Sequence, residues 1–187
     1  MGMPALSHDW TAEMVRALPY DGNRYEVVDG ELLVTPSPIL PHQLAIGELH
    51  LLIASYLREH GLGDVVVAPA DIEINERTLV EPDLFVIPEL KAPVPRYLES
   101  ASQLVLAIEV LSPSTARADR TIKRRLYQRA GVPEYWVVDL DARLIERWRR
   151  DDERPEILSK ELVWSVASAS PPLTIDLPVF FARVYRE

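Results

Sequence analysis

Two carboxylates interrupt apolar runs that otherwise have the pattern of buried strands. Asp83 follows Pro82 in the run LVEPDLFVI, and Glu109 lies near the end of the run LVLAIEV. A continuous apolar run of strand length is typical of a strand covered on both faces. A carboxylate in such a run loses its water, so the ionised form needs a partner or a metal ion. Two such acids on consecutive strands, followed by Lys123 on a predicted helix, predict a metal site with a cationic neighbour.

These three residue types are suited to the hydrolysis of a phosphodiester. Hard ions such as Mg²⁺ take carboxylate and carbonyl oxygens and retain several waters. Such an ion stabilises charge on a phosphoryl oxygen and lowers the pKa of a bound water. A nearby ammonium can orient that water or stabilise developing negative charge. Structural alternatives stay open on the residues alone: Asp83 could cap a turn, Glu109 could pair with an arginine, and Lys123 could be a surface lysine.

Composition limits the class of protein. The 187 residues, with 48% apolar and 26% charged residues, predict one ordinary globular domain over residues 1–187. The sequence has no cysteine, so a metal would need oxygen or imidazole ligands. The N-terminus lacks the basic flank and apolar core of a signal peptide, and no apolar run has the length of a membrane span. We therefore expect a cytoplasmic protein with no membrane partner.

Charge is unevenly distributed along the chain. The formal net charge of −9 argues against nucleic-acid binding by bulk electrostatics. Residues 117–150, however, carry ten Lys or Arg against five Asp or Glu. This basic sector could steer a phosphate backbone, with an arginine such as Arg147 in contact with it. The alternative, which composition favours, is a solvated arginine-rich surface.

The elements that must position the acids follow from periodicity and turn residues. The alternating and continuous apolar runs predict strands, the three- to four-residue spacings predict helices, and Asp29-Gly30 predicts a two-residue hairpin turn. Predicted helices are Trp10–Leu18, Pro41–His60, Arg120–Ala130 and Pro178–Tyr185. Predicted strands are Tyr25–Val28, Glu31–Val34, Val65–Ile74, Leu79–Ile87, Leu104–Val110, Tyr135–Asp139 and one around Ile145 and Trp148. This order predicts an α/β fold with a mixed central sheet flanked by helices, preceded by an N-terminal helix and hairpin.

The helix after the second acid has two stripes of side chains. We expect Asp119 to cap its N-terminus and Ile122, Leu126 and Ala130 to form its core stripe. Lys123 and Tyr127 lie one position round, at the margin of the buried face.

Several motifs taken in order resemble a known family. RYEVVDGELLVTPSP, His42-Gln43, EPDLFVI, EVLSPST and DRTIKRRLYQRAGVPEYWVVD resemble the Uma2-like (DUF820) endonucleases of bacteria, over Arg24 to roughly Trp148. Pro82-Asp83 followed by Glu109 is similar to the wider PD-(D/E)XK superfamily, which has the restriction-endonuclease-like fold. One position departs from that pattern, since the lysine expected two residues after the second acid is Leu111. The matching lysine is Lys123 on the following helix.

The resemblance implies an active site and a cofactor. It implies an endonuclease that uses Mg²⁺ or Mn²⁺ and acts on nucleic acid, with DNA expected rather than RNA. Its implied catalytic residues are Asp83, Glu109 and Lys123. It also implies that Glu26 approaches the metal site and that Tyr127 braces Lys123. For the mechanism we expect Asp83, Glu109 and the backbone carbonyl of Val110 as metal ligands, and His42, at the N-terminus of its helix, as a further supporting residue.

Two other functions remain open on the sequence. A catalytically idle relative, acting as a binding or assembly module, would keep the fold without binding metal. A hydrolase of small phosphoesters would bind metal without requiring a polymer. A homodimer or higher homo-oligomer is compatible with cutting both strands of a duplex, although no motif specifies one.

Overall fold

The chain folds into sheets with helices packed on them. In the computed structural model, the described residues are 9–90, 98, 100–166 and 171–187. The strands are β1 (Arg24–Val28), β2 (Glu31–Thr35), β3 (Asp64–Val67), β4 (Ile72–Asn75), β5 (Thr78–Val80), β6 (Leu84–Ile87), β7 (Leu106–Val110), β8 (Glu134–Asp139), β9 (Leu144–Arg149), β10 (Glu156–Leu158), β11 (Glu161–Trp164) and β12 (Leu173–Asp176). The helices are α1 (Ala12–Arg16), α2 (Leu40–His60), α3 (Ala116–Ala118), α4 (Arg124–Arg129) and α5 (Leu177–Tyr185).

A six-stranded mixed sheet forms the centre, in the order β10-β9-β8-β7-β6-β3. Its two middle strands, β7 and β8, run parallel, and the other neighbours are antiparallel. Parallel neighbours require a crossover, which here is the helical stretch of α3, a π-helical turn (Asp119–Lys123) and α4. The predicted mixed central sheet flanked by helices is therefore confirmed.

The two faces of this sheet pack against different layers. One face carries Leu84, Ile108 and Trp136 and packs with apolar side chains of α2 and α5. The opposite face carries Phe85 and Ala107 and packs with the four-stranded sheet, ordered β2-β1-β5-β4, and with α4. Burying each large apolar side chain contributes about 1.5–3 kcal/mol. A carboxylate on the second face therefore lies between two packed layers.

Helix α2 has clear start and stop signals. Pro41 lies in its first turn, and Gly61 ends it in the left-handed conformation, with φ of 62°. Its buried face repeats at helical spacing, with Ala45, Leu49 and Ile53 fully buried. The predicted helix Pro41–His60 is confirmed. None of the helices in the described part of the chain is long and apolar enough to cross a membrane.

The N-terminal hairpin forms as its turn residues predict. Asp29 and Gly30 both have positive φ, 51° and 87°, which a two-residue turn of this twist requires. The turn fixes the register, in which Arg24 pairs with Thr35 and Glu26 with Leu33. Arg24, Glu26 and Val28 therefore share one face of β1.

Two of the predicted strands are wrong in extent, because each changes sheet partway along. The segment Val65–Ile74 contains Pro69 and divides into β3 of the central sheet and β4 of the four-stranded sheet. The segment Leu79–Ile87 divides at 81–83 into β5 and β6 in the same way. Pro82 cannot donate a ladder hydrogen bond, so pairing ends there. At this point the chain crosses from the four-stranded sheet to the central sheet.

Candidate active site

Asp83 and Glu109 face each other because their strands are neighbours. β6 pairs antiparallel with β7, and Leu84 lies opposite Ile108. The next residue on each side is Asp83 and Glu109, so the two acids occupy opposing positions on one face of the sheet. That face is the one packed against the four-stranded sheet and α4. The register alone therefore brings the two predicted acids together.

Asp83 is held by three hydrogen-bonding groups. Its Oδ2 accepts from the backbone N–H of Val110 at 2.8 Å and lies 3.2 Å from Nε2 of His42. Its Oδ1 accepts from Nη1 of Arg24 at 2.7 Å. Burial alone would raise the pKa of Asp83, but His42 and Arg24 outweigh it and hold that pKa below its ordinary value. Asp83 is therefore an ionised carboxylate with a fixed orientation.

Glu26 enters the site from the hairpin. It lies on the face of β1 that points toward the central sheet, and it is 1% exposed. Its Oε1 accepts from the backbone N–H of Glu81, the first residue after β5, where the chain crosses to β6. Burial raises the pKa of Glu81 to about 7. The hairpin thus supplies a third buried acid beside the Asp83–Glu109 pair.

Lys123 points into this acid cluster. Its Nζ lies 2.8 Å from Oε1 of Glu109 and 2.7 Å from Oε2 of Glu26. We expected Lys123 and Tyr127 at the margin of the helix, but both are buried, at 1% and 0% exposed. The expected stripe is wrong because Ile122 is only partly buried and the helix turns the Lys123 side inward. Burial alone would lower the pKa of Lys123, yet Glu109 and its neighbours raise it well above its ordinary value.

Asp119 is not the N-terminal cap that we predicted. The helix begins earlier, with α3, and Asp119 lies inside it at 1% exposed. Its Oδ1 is 3.5 Å from Nζ of Lys123, four residues along the same helix. Tyr127, a predicted supporting residue, packs against Tyr135 with ring centroids 4.9 Å apart, and its hydroxyl has no hydrogen-bond partner among the described residues.

The cluster has more negative than positive charge. Four buried carboxylates stand against two cations, Arg24 and Lys123, when His42 is neutral. The carboxylates are Glu26, Asp83, Glu109 and Asp119. Burial raises the pKa of Glu109 well above its ordinary value and also raises the pKa of Asp119. The formal negative charges of these acids thus exceed the positive charges of the two cations by two, and a proton or a further cation would relieve the excess.

These residues fit a divalent ion in charge and donor type. Carboxylate oxygens are the ligands that Mg²⁺ and Mn²⁺ prefer, and two uncompensated negative charges match one divalent ion. Within the described residues, neither the side-chain oxygens of Asp119 nor Oε2 of Glu26 have a hydrogen bond, although Oδ1 of Asp119 and the Glu26 oxygen lie in ion-pair contact with Lys123. Across the described residues, however, no three Asp, Glu or His side chains are arranged around one metal position. Arg24 and Lys123 occupy the acid oxygens instead.

The basic sector is mostly engaged in internal contacts. Arg147, which we expected to contact a phosphate backbone, is 7% exposed and donates to Glu156 and to the carbonyl of Val163, and these contacts argue against that role. Other basic residues in the sector pair with acids: Arg120 with Asp139 and Glu146, Arg129 with Asp29, Arg143 with Glu187, and Arg149 with Glu156. The alternative of an arginine-rich surface is favoured over a single phosphate-binding face.

Sequence reasoning missed two members of the cluster. Arg24 begins the hairpin motif, but no local pattern indicates that it reaches Asp83 across the sheets. Asp119 had a local signal, because it lies four residues before Lys123 on one helix. Of the predicted residues, Glu26, His42, Asp83, Glu109 and Lys123 converge here. Val110 contributes its N–H to Asp83, and a metal-binding role for its carbonyl stays a prediction.

Comparisons with known proteins agree with this fold. Residues 12–178 match the model of the Uma2 family, described as "putative restriction endonuclease". Among solved structures, the chain is similar to one described as a "putative nuclease belonging to DUF820", from Anabaena variabilis ATCC 29413, with 17% identity and a TM-score of 0.76. That alignment covers 94% of this chain and 99% of the other. At 17% identity, this similarity shows that the two proteins share a fold. No curated protein matches the chain.

Proposed function

The chain belongs to the Uma2 family, and from this premise we propose that it is a metal-dependent endonuclease that hydrolyses phosphodiester bonds of nucleic acid. One observation carries the proposal. Asp83, the residue before β6, lies opposite Glu109 of β7, and Nζ of Lys123 is 2.8 Å from Glu109. Two acids and a lysine in one buried cluster are the groups that this chemistry needs.

Asp83 and Glu109 would hold the divalent ion, Mg²⁺ or Mn²⁺. Glu26 and the backbone carbonyl of Val110 would supply further oxygens. When bound, such an ion stabilises the negative charge that develops on the phosphate. His42 and the N–H of Val110 keep the Asp83 carboxylate in one orientation, so little reorganisation is needed when the ion binds.

Lys123 would act on the attacking water. Its ammonium has three donors, of which contacts to Glu109 and Glu26 occupy two. The third donor can hold a water beside the scissile phosphate. Tyr127, one helical turn further on, would brace the lysine through packing, because its buried hydroxyl makes no hydrogen bond within the described residues.

The proposed substrate is DNA, rather than RNA or a small phosphoester. The family description as a restriction endonuclease supports this choice. A homodimer would supply the two active sites needed to cut both strands of a duplex, and light scattering measures that state.

The test is cleavage by the purified protein with Mg²⁺, Mn²⁺ or EDTA. Substrates are supercoiled plasmid, linear duplex, single-stranded DNA, RNA and bis(p-nitrophenyl) phosphate. Asp83→Asn, Glu109→Gln and Lys123→Met should lose cleavage by more than about 100-fold, because each removes a group that acts in the transition state. Matched controls are Glu161→Gln and Lys160→Met, which change exposed residues of the same types outside the site.

The outcomes separate the three candidate functions. Cleavage that persists in EDTA or in Glu109→Gln rejects the proposed mechanism. Hydrolysis of bis(p-nitrophenyl) phosphate without cleavage of any polymer identifies a small-phosphoester hydrolase. Absence of both cleavage and Mn²⁺ binding identifies a catalytically idle module.

A further inference from the structure

Arg24 stands between the acids that the proposed function assigns to the metal ion. Its Nη1 lies 2.7 Å from Oδ1 of Asp83, and its Nη2 lies 3.9 Å from Oε2 of Glu109. Its Nε lies 3.9 Å from Oε2 of Glu26 and makes no hydrogen bond in the described part of the chain. A guanidinium can donate five hydrogen bonds, and here one short contact is made to the acid cluster. Arg24 is therefore incompletely satisfied where it lies.

Of the two cations in the cluster, Arg24 is the one that can move. Lys123 is 1% exposed, and its Nζ forms ion pairs with Glu26 at 2.7 Å and Glu109 at 2.8 Å. The Arg24 side chain is 18% exposed, whereas the side chains of Glu26, Glu109 and Asp83 are 1–3% exposed. Among these side chains, Arg24 is therefore the one with the most contact with solvent, and it contacts Asp83 directly.

We propose, as an inference that rests on the proposed function, that Arg24 is an exchangeable cation. It occupies the gap between Asp83 and Glu109 when no divalent ion is bound, and it turns outward to bind the substrate phosphate when an ion enters that gap. Two arguments support the exchange. An ion held by Asp83 and Glu109 would use carboxylate oxygens that Arg24 now contacts, and two cations in the same gap would repel each other. Arginine is also well matched to a phosphate, which it can bind with two parallel hydrogen bonds.

A fixed structural ion pair would behave differently from an exchangeable cation. If Arg24 only supported the fold, its removal would disturb Asp83 and weaken metal binding. If Arg24 competes with the ion, its removal frees Asp83 and strengthens metal binding. A charge-assisted hydrogen bond is worth enough to change the affinity by about tenfold. The two roles thus predict opposite signs for one measurable quantity.

The first experiment is isothermal titration of metal-stripped protein with Mn²⁺. Arg24→Met is expected to bind Mn²⁺ about tenfold more tightly than wild type, and Arg24→Lys to fall between them. The matched control is Arg129→Met, which removes an arginine that also forms a 2.7 Å ion pair with an acid of the hairpin, Asp29, but at 60% exposure. Circular dichroism checks that each variant is folded. If Arg24→Met is not folded, Arg24→Gln replaces it in both experiments.

The second experiment measures binding of a 20-base-pair duplex in Ca²⁺ as a function of salt. Loss of one phosphate contact in Arg24→Met should reduce the slope of log affinity against log salt by about one. Unchanged or weaker Mn²⁺ binding by a folded Arg24→Met protein overturns the inference while leaving the proposed function intact. An unchanged salt slope overturns the outward turn to phosphate. If neither wild type nor variant binds Mn²⁺, the proposed function fails together with the inference.

Discussion

The replacement of Lys123 by methionine should produce a large loss of stability. Methionine fills most of the same volume but leaves Glu109 and Glu26 without the ammonium at 2.8 and 2.7 Å. Both acids are 1% exposed, so water cannot take its place. Removing one partner of a buried ion pair typically costs about 3–5 kcal/mol. Protonation of the remaining acids limits the loss, so we expect about 3 kcal/mol at pH 7.5.

Urea unfolding followed by tryptophan fluorescence measures this free energy, since the chain has four tryptophans. For a chain of this length, a loss of about 3 kcal/mol lowers the melting temperature by roughly 6–12 °C. Lys160→Met is the matched control, because Lys160 is exposed and makes no ion pair with any described residue. It should change the free energy of unfolding by about 0.5 kcal/mol or less.

A double variant separates charge from packing. If the loss in Lys123→Met comes from unpaired acids, then Lys123→Met combined with Glu109→Gln should be more stable than Lys123→Met alone. If it comes from packing, the two changes should add. A loss below about 1 kcal/mol in Lys123→Met would refute the reasoning, since it would mean that the acids do not depend on the lysine.

Two further predictions concern the Arg147–Glu156 pair outside the site. Arg147→Ala should lower the free energy of unfolding by about 1–2 kcal/mol in urea titration, because it leaves the Val163 carbonyl without its Arg147 donor and Glu156 with Arg149 alone, while duplex affinity stays unchanged. The hydrogen bond from Arg147 lowers the pKa of Glu156 from its ordinary 4.5, so its stabilising contribution is present above pH 4.5 and lost as the pH falls. The melting-temperature difference between wild type and Glu156→Gln should therefore shrink below pH 4.5. A melting-temperature difference that stays constant from about pH 7 to pH 3 would contradict the contribution assigned to the ionised Glu156.

The sequence predicted elements well where local chemistry decides them. The hairpin depends on Asp29-Gly30, and the end of α2 depends on Gly61, so both could be placed from a few residues. Apolar periodicity also located β7 and β8. It could not show that the runs containing Pro69 and Pro82 pass from one sheet to another. A strand has the same alternation in either sheet, and only tertiary pairing distinguishes them.

The candidate site was predictable in part for the same reason. Asp83 and Glu109 stand out because an acid in an apolar run is costly, and the motif resemblance identified Lys123. Arg24 has no such signal, since an arginine at the start of a hairpin is usually exposed. Its place between Asp83 and Glu109 depends on how the four-stranded sheet lies across the central sheet.

A π-helical turn lies in the part of the crossover helix from which Lys123 reaches Glu109 on the neighbouring strand. Glu109 is the penultimate residue of β7, and the crossover helix begins beyond the same end of that strand. The turn at Asp119–Lys123 is wider than an α-helical turn, which changes the direction of the side chains relative to the flanking segments. Asp119, Lys123, Leu126 and Tyr127 are all buried, whereas Ile122 is only partly buried. The helix thus brings the ammonium of Lys123 to 2.8 Å from Glu109, while the residue two positions after Glu109 is the uncharged Leu111.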